Sequence, residues 1–494
     1  MIPWIASHIL TITIFLPLVG VLPIMMLPRR FEEGSRAIAL FFSLITFIAS
    51  LAMWWLYQIN AVDNGFTLIE QHPWIPTLNF QYFVGIDGVS LLMIVLTTLL
   101  IPLAILGAWN EIKTRRKEFM GLILLTEVGL LGAFAALDLF LFYVFWELML
   151  IPMYFLVGIW GGKHRIMAAM KLLIYTLFGS LLMLVAIFVV YAKSGYQMNL
   201  IDLYQMKLDP GIQLWCFMAF ALAFAIKVPL WPVHTWLPDA HTEAPTAGSV
   251  ILAGVFLKVG AYGFYRIAMP LFPDAVLQAQ PLLMSLSVIG IVVGALVAMI
   301  QPDMKRLIAY SSVSHMGFVM LGLASLTTEG VEGAVLQLVN HGISTGALFL
   351  LIGIIYSRTH TRQISDYGGI AKVVPWFSAA FIFVALSSAG LPGLNNFVGE
   401  FLTLMGGFAY GKVYGVIAAI GVILGAAYLL WLVERVFFGQ VTNEHNKTLK
   451  DLNPRELTLL IPLMLLMVVF GVYPKLLLDP CMGSISTFLQ LMGR

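Results

Sequence analysis

The sequence is short of the features that mark a soluble enzyme. Only two of its 494 residues are cysteine, Cys216 and Cys481, far apart and without a CxxC pair. That spacing offers no disulfide framework and no cluster-ligating set, so both read as small apolar side chains. Charge is equally scarce: Asp, Glu, Lys and Arg make up 11% of the chain, against about 25% in soluble domains. No basic stretch exceeds KTRRK at 113–117, and a formal net charge of +2 gives no sign of nucleic-acid binding. There is no glycine-rich phosphate loop, no dinucleotide fingerprint, and no soluble domain to host either. Nor is there an acidic, oxygen-rich constellation that would mark a dedicated Na⁺ site. The sequence therefore shows no site of its own for harvesting redox or phosphate energy.

What the chain has instead is apolar sequence, 60% of its residues. Runs of the roughly 20 residues needed to cross a bilayer fall near 8–28, 37–57, 88–109, 118–137, 139–160 and 166–192. Others lie near 213–236, 245–268, 280–300, 306–326, 332–356, 375–409, 412–438 and 457–477, which makes fourteen. Only Ala136, Leu137 and Asp138 divide the fourth from the fifth. The first run lacks a basic leader and an A-x-A site, so it reads as a retained helix rather than a cleaved signal. With both termini outside, the inward loops hold 19 Lys and Arg residues and the outward side 6. Positive charge favours the cytoplasmic side, and an error of one span would scramble this bias. The expected fold is therefore an all-α polytopic membrane protein.

Two spans are unlike the rest. The seventh, FAIKVPLWPVHTWLPDAH, is interrupted by Pro229, Pro232 and Pro238; the twelfth, about 35 residues long, is broken at SSAGLPGLNNF. Proline removes a helical hydrogen bond, so each should be two half-helices. In lipid such a break survives only where it faces protein or water. The two breaks lie five spans apart and hence in opposite orientations, as in inverted repeats with ion sites at broken helices. The expected organisation is three spans in 1–110, a five-span repeat in 111–270, an inverted five-span repeat in 271–440, and a last span with its tail in 441–494.

Against this apolar background, four charges stand inside spans: Glu147, Lys227, Lys258 and Glu400. Each costs roughly 2.5–3.5 kcal/mol at a helix centre on insertion scales, and such residues usually pair and line ion or proton routes. Glu147 lies too far from either end of its run to snorkel. Lys227, two residues before the first proline, is its expected partner. A lysine bridged to a carboxylate holds its proton and, once separated in an apolar site, releases it. Lys258 is placed to take that proton onward; the structural alternative is a tie to a helix carbonyl. His315 and His341, on spans 10 and 11, lie between Lys258 and Glu400, and imidazole passes protons near neutrality. His234 and Glu127 are open between structural and path roles. Asp138, Asp239 and His241 fall at membrane edges, where capping or solvated roles are expected, and Arg165 reads as an inner-side anchor.

The run VPLWPVHTWLPDAHTEAPTAGSVILAGVFLKVGAYG, with DMKRLIAYSSVSHMGF and LPGLNNFVGEF, resembles the antiporter-like subunits of respiratory complex I. The resemblance covers about 80–475. Acidic Glu400 and the run FYVFWELMLIPMYFLVGIWGG look like the subunit M (ND4-type) group, and the chain stops about 17 residues after span 14, without the lateral helix of subunit L. The resemblance implies a proton-pumping membrane-arm subunit of NADH:quinone oxidoreductase, beside subunits L and N in a bacterial inner membrane. It implies Glu147 and Lys227 as a coupled pair, Lys258 as central relay, His315 and His341 as relay positions, and Glu400 as the terminal exchange residue. It also implies that flavin, iron–sulfur clusters and quinone belong to partner subunits, with no cofactor or metal here. The alternatives are a multisubunit Na⁺/H⁺ antiporter, a membrane-bound hydrogenase, or a non-conducting scaffold whose buried charges only fix helix packing.

Overall fold

The computed structural model describes residues 6–60 and 65–494. Thirteen helices in it are long and apolar enough to cross a membrane. They are α1 (Ile9–Met26), α2 (Gly34–Ile59), α3 (Gly88–Gly107), α4 (Arg116–Ala135), α5 (Leu139–Trp160), α6 (Arg165–Lys193) and α7 (Pro210–Lys227). After the short α8 (Trp236–Glu243) come α9 (Thr246–Leu271), α10 (Pro273–Met299), α11 (Met304–Ser325) and α12 (Thr328–Thr359). The twelfth expected span is two half-helices, α13 (Pro375–Ser388) and α14 (Asn395–Tyr410). Two long helices, α15 (Lys412–Phe437) and α16 (Pro454–Val472), complete the set. Helices thus occupy all fourteen expected spans, thirteen as long helices and the twelfth as the broken pair.

The narrow divide at 136–138 is held by capping. Asp138 accepts hydrogen bonds from the amides of Phe140 (3.0 Å) and Leu141 (2.9 Å), satisfying free donors at the start of α5. A third bond comes from the amide of Gln81 (3.2 Å). Gln81 belongs to an antiparallel hairpin, β1 (Thr67–Ile75) with β2 (Phe80–Ile86), which the span count did not anticipate. The buried Glu70 of β1 in turn accepts from the amides of Leu10 and Thr11, both at 3.0 Å, placing a carboxylate at the positive end of α1. The amide of Gly88 donates to Ser484 (3.0 Å), so the start of α1, the hairpin and the C-terminal helix share one side of the protein. That side is called the terminal side below.

Burial sorts the helices into two classes. α9 is wholly buried and α11 and α12 nearly so, whereas α1, α2, α6, α15 and α16 leave most of their surface open to lipid. The charge-bearing helices of the middle of the chain are therefore enclosed by other helices, the setting in which intramembrane polar groups and broken backbone are tolerated.

Both breaks are satisfied internally. At the end of α7 the Trp236 indole donates to the carbonyl of Ile226 (2.8 Å) and the amide of Leu230 to Ala225 (2.7 Å). Across the second break, Asn340 of α12 donates to the carbonyl of Asn395 (2.7 Å), and Asn395 returns a bond to the Asn340 side chain (3.2 Å). Ser387 donates to Asn395 (2.6 Å) and Asn396 to the Ser387 carbonyl (3.0 Å), bridging the gap from α13 to α14. Gly390 adopts φ +76° in the gap, a conformation glycine enters without penalty. A Cβ there would stand 3.2 Å from Glu400 Oε2, so the bare glycine also makes room for the carboxylate.

Candidate functional site: a buried line of titratable side chains

Four of the six expected residues form one connected line. Lys258 lies on α9 between two π-helical turns, Leu252–Phe256 and Phe264–Ala268. Such turns shift the ladder to i→i+5 and recur at functional sites. The Lys258 ammonium donates to the carbonyl of Ala253, five residues back and within the first of these turns. Lys258 Nζ also lies 2.6 Å from His341 Nδ1 on α12. The carbonyl tie weighed as an alternative is therefore real, and it coexists with the histidine contact.

From His341 the line turns toward α11. The rings of His341 and His315 stand 5.6 Å apart between centroids. His315 Nδ1 then meets Glu400 Oε1 on α14 at 2.7 Å, with both side chains about 5% exposed. Gln337 of α12 donates to the same oxygen (3.1 Å). Glu400 sits in the second turn of α14, just inside the break, near the positive end of that half-helix. Lys258, His341, His315 and Glu400 thus run from α9 through α12 and α11 to α14.

The first pair is arranged differently. Lys227, fully buried, is the last residue of α7, where the carbonyl end of a helix favours a cation. Its Nζ makes no hydrogen bond. It lies over two aromatic rings instead, Phe256 at 3.5 Å and Trp146 at 4.7 Å from the centroids. Cation–π contacts of this kind are worth about 2 kcal/mol or more when desolvated. Trp146 precedes Glu147 in α5, and Glu147 still acts electrostatically on Lys227. Among the described residues the two form no ion pair, and Glu147 Oε1 is buried without a hydrogen-bond partner. The ion pair expected of Glu147 and Lys227 is not made in this structure. Gly260 lets α9 approach α7: a Cβ there would stand 2.9 Å from Lys227 Cβ, so the helices bearing the two lysines touch.

Other residues fall out variously. Asp138 is the helix cap just described, as expected of an edge residue, and burial raises its carboxyl to about 6. Asp239 bridges Lys171 (2.7 Å) and Arg306 (3.0 Å). His234 is mostly enclosed. Glu127 is fully buried with neither oxygen hydrogen-bonded. His241 differs from expectation: α8 folds inward, so it is fully buried rather than at an edge. Its ring stacks on Phe349 at 4.7 Å, neither nitrogen has a partner, and Lys305 and Lys258 are its charged neighbours. Gln337, Trp146 and Phe256 were missed because an amide or aromatic residue in a span carries no sign of which charge it faces. No group of three or more His, Cys, Asp or Glu side chains suited to a metal occurs among the described residues.

Two broken spans five apart, with a buried Lys–His–His–Glu line between them, define the class of antiporter-like subunits of proton- and ion-translocating membrane complexes. Residues 136–425 match the family described as NADH:quinone oxidoreductase/Mrp antiporter, and residues 35–133 the amino terminus of NADH-ubiquinone oxidoreductase chain 4. The chain is 43% identical to NADH-quinone oxidoreductase subunit M of Rhodobacter capsulatus, covering 98% of this chain and 97% of that one. It is 42% identical to NADH-ubiquinone oxidoreductase chain 4 of Marchantia polymorpha, over 97% and 96% of the two chains. The chain belongs to the subunit M/chain 4 family of NADH:quinone oxidoreductase. A chain of respiratory complex I from Thermus thermophilus superposes with TM-score 0.90 at 36% identity, covering 98% of this chain and all of that one. A chain of the Mrp complex from a Dietzia species shares the fold, with TM-score 0.83 at 22% identity and 99% coverage of both.

Proposed function

We propose that this chain moves protons laterally through the membrane arm of NADH:quinone oxidoreductase, from Glu147 and Lys227, by way of Lys258, His341 and His315, to Glu400. The observation that carries the reading is the continuity of the second half: contacts of 2.6 Å and 2.7 Å at its ends and two neighbouring imidazoles between them. Lys227, held by aromatic rings and apart from Glu147, serves as the switch. Bridged to Glu147 it retains its proton; apart from that carboxylate, fully buried and without a hydrogen bond, it yields the proton toward Lys258. The two five-span repeats, 111–270 and 271–440, supply one half-channel each, and the breaks five spans apart support that division.

The redox chemistry, with its flavin, iron–sulfur clusters and quinone, is assigned to partner subunits, and the neighbours in the arm to subunits L and N. The charge bias of the loops supports a bacterial inner membrane with both termini on the periplasmic side. The scaffold alternative is tested by Lys227→Ala in inverted membrane vesicles, at complex abundance matched to the parent. Lost NADH-driven acidification supports the relay; intact pumping with reduced assembly supports the scaffold.

A further inference from the structure

A second buried charge cluster closes the terminal end of α9, and the relay does not use it. Arg266 of α9 forms an ion pair with Asp87, the N-cap of α3, with side-chain exposures of 8% and 2%. Tyr262, one turn before Arg266, lies 2.8 Å from Ser90 Oγ, and its hydroxyl also stands 2.8 Å from the carbonyl of Phe134, to which it donates. The Arg266 Nε donates to the Tyr262 hydroxyl (3.1 Å), and Tyr204 donates to the Arg266 carbonyl (2.7 Å). The guanidinium is packed over the ring of Phe66 at 4.7 Å. Tyr262 and Arg266 follow Lys258 at four and eight positions, so they stand successively closer to the terminal side along one helix. Beyond them a cavity of about 110 Å³, bordered by Asp87 and Arg266, reaches exposed Gln205 and Thr487 at the surface.

On the terminal side of Lys258, Tyr262 one turn along α9 is hydrogen-bonded to Ser90, and the cavity bordered by Asp87 and Arg266 lies beyond. At the border of that cavity stands a cation that cannot give up its charge. An arginine fixed in a narrow passage raises the electrostatic barrier to protons. We propose that Arg266, locked in place by Asp87, is the proton barrier of the terminal side, closing the direct exit from Lys258 so that protons continue sideways to Glu400. The proposal rests on the lateral-relay reading for the arrival of protons at Lys258.

The test is passive leak through the assembled complex in sealed vesicles without NADH, read as the decay of an imposed pH step. Arg266→Gln should speed the decay, and adding Lys258→Met should restore the slow decay, because the leak runs through Lys258. Asp87→Asn, which keeps the arginine, should stay as tight as the parent at matched abundance. Should Arg266→Gln fail to assemble, the double variant Arg266→Gln/Asp87→Asn, which leaves no unpaired charge, should leak in its place. A tight Arg266→Gln complex, or a tight double variant where the single does not assemble, overturns the proposal. So does a leak indifferent to Lys258→Met, and so does a leaky Asp87→Asn complex, in which the cation is still present. Because no NADH is present, the barrier can fail while driven pumping through Glu400 stands, and the reverse.

Discussion

Replacing His341 with glutamine removes the one group that connects Lys258 to the rest of the line. The substitution keeps an acceptor of similar reach near Lys258, 2.6 Å away in the native protein, so packing and the lysine contact are largely preserved. What is lost is a side chain that takes up and releases a proton. The proton must then pass from Lys258 to His315, whose ring lies a further 5.6 Å beyond that of His341. Lys258 bonds only to the Ala253 carbonyl and His341, not to His315, so the gap left is longer than the roughly 3.2 Å within which a proton is handed on directly. A positioned acid–base group is worth about 10²–10⁴ in rate, which corresponds to roughly 2.7–5.4 kcal/mol on the barrier. NADH-driven acidification of inverted vesicles should therefore lose this chain's contribution. Electron transfer from NADH to a soluble artificial acceptor, which bypasses the membrane arm, should remain at the parental rate. Near-parental pumping by a fully assembled His341→Gln complex would refute the connected line.

Three further outcomes follow from the same geometry. Glu147→Gln should abolish most proton-coupled activity while Glu147→Asp retains much of it, since only the latter keeps a charge to act on Lys227; equal vesicle acidification by the two would count against the switch. Lys227→Ala should remove pumping without loss of abundance, read by vesicle acidification beside a native-gel assay of assembly. Asp138, raised by burial to about 6 from an ordinary 3.8, keeps its proton to higher pH in the folded protein than in the unfolded chain. Its contribution to stability is therefore greatest below about pH 4 and declines as pH rises toward 6. Asp138→Asn should flatten that part of the dependence in thermal unfolding of the purified complex between pH 4.5 and 6.5, and an unchanged slope would contradict it.

Much of this was legible in the chain because a bilayer makes polarity conspicuous. Span lengths, both breaks, and the charges at 147, 227, 258 and 400 are visible since each violates the expected composition of a membrane helix. Contacts across helices are not written that way. Arg266 reads as one of six outward basic residues until Asp87, 179 positions away in the sequence, is found against it. His241 reads as an edge residue because proline-rich sequence hides how far α8 turns back into the protein. The π turns around Lys258 leave no mark in apolar sequence, and neither does the Ala253 carbonyl that the lysine meets in the first of them. The hairpin at 67–86 falls between spans, where a search for apolar runs is blind.

The account turns on Glu400 as the end of the line, held by His315 at 2.7 Å and Gln337 at 3.1 Å. Glu400→Gln changes one atom and keeps the shape, so it removes the titrating group with little disturbance of packing. The direct measurement is the number of protons translocated per NADH oxidised, together with the oxidation rate, in sealed vesicles carrying the assembled variant complex. The relay predicts that either the ratio or the rate of coupled turnover falls sharply; a ratio and a rate both equal to the parent's would contradict it.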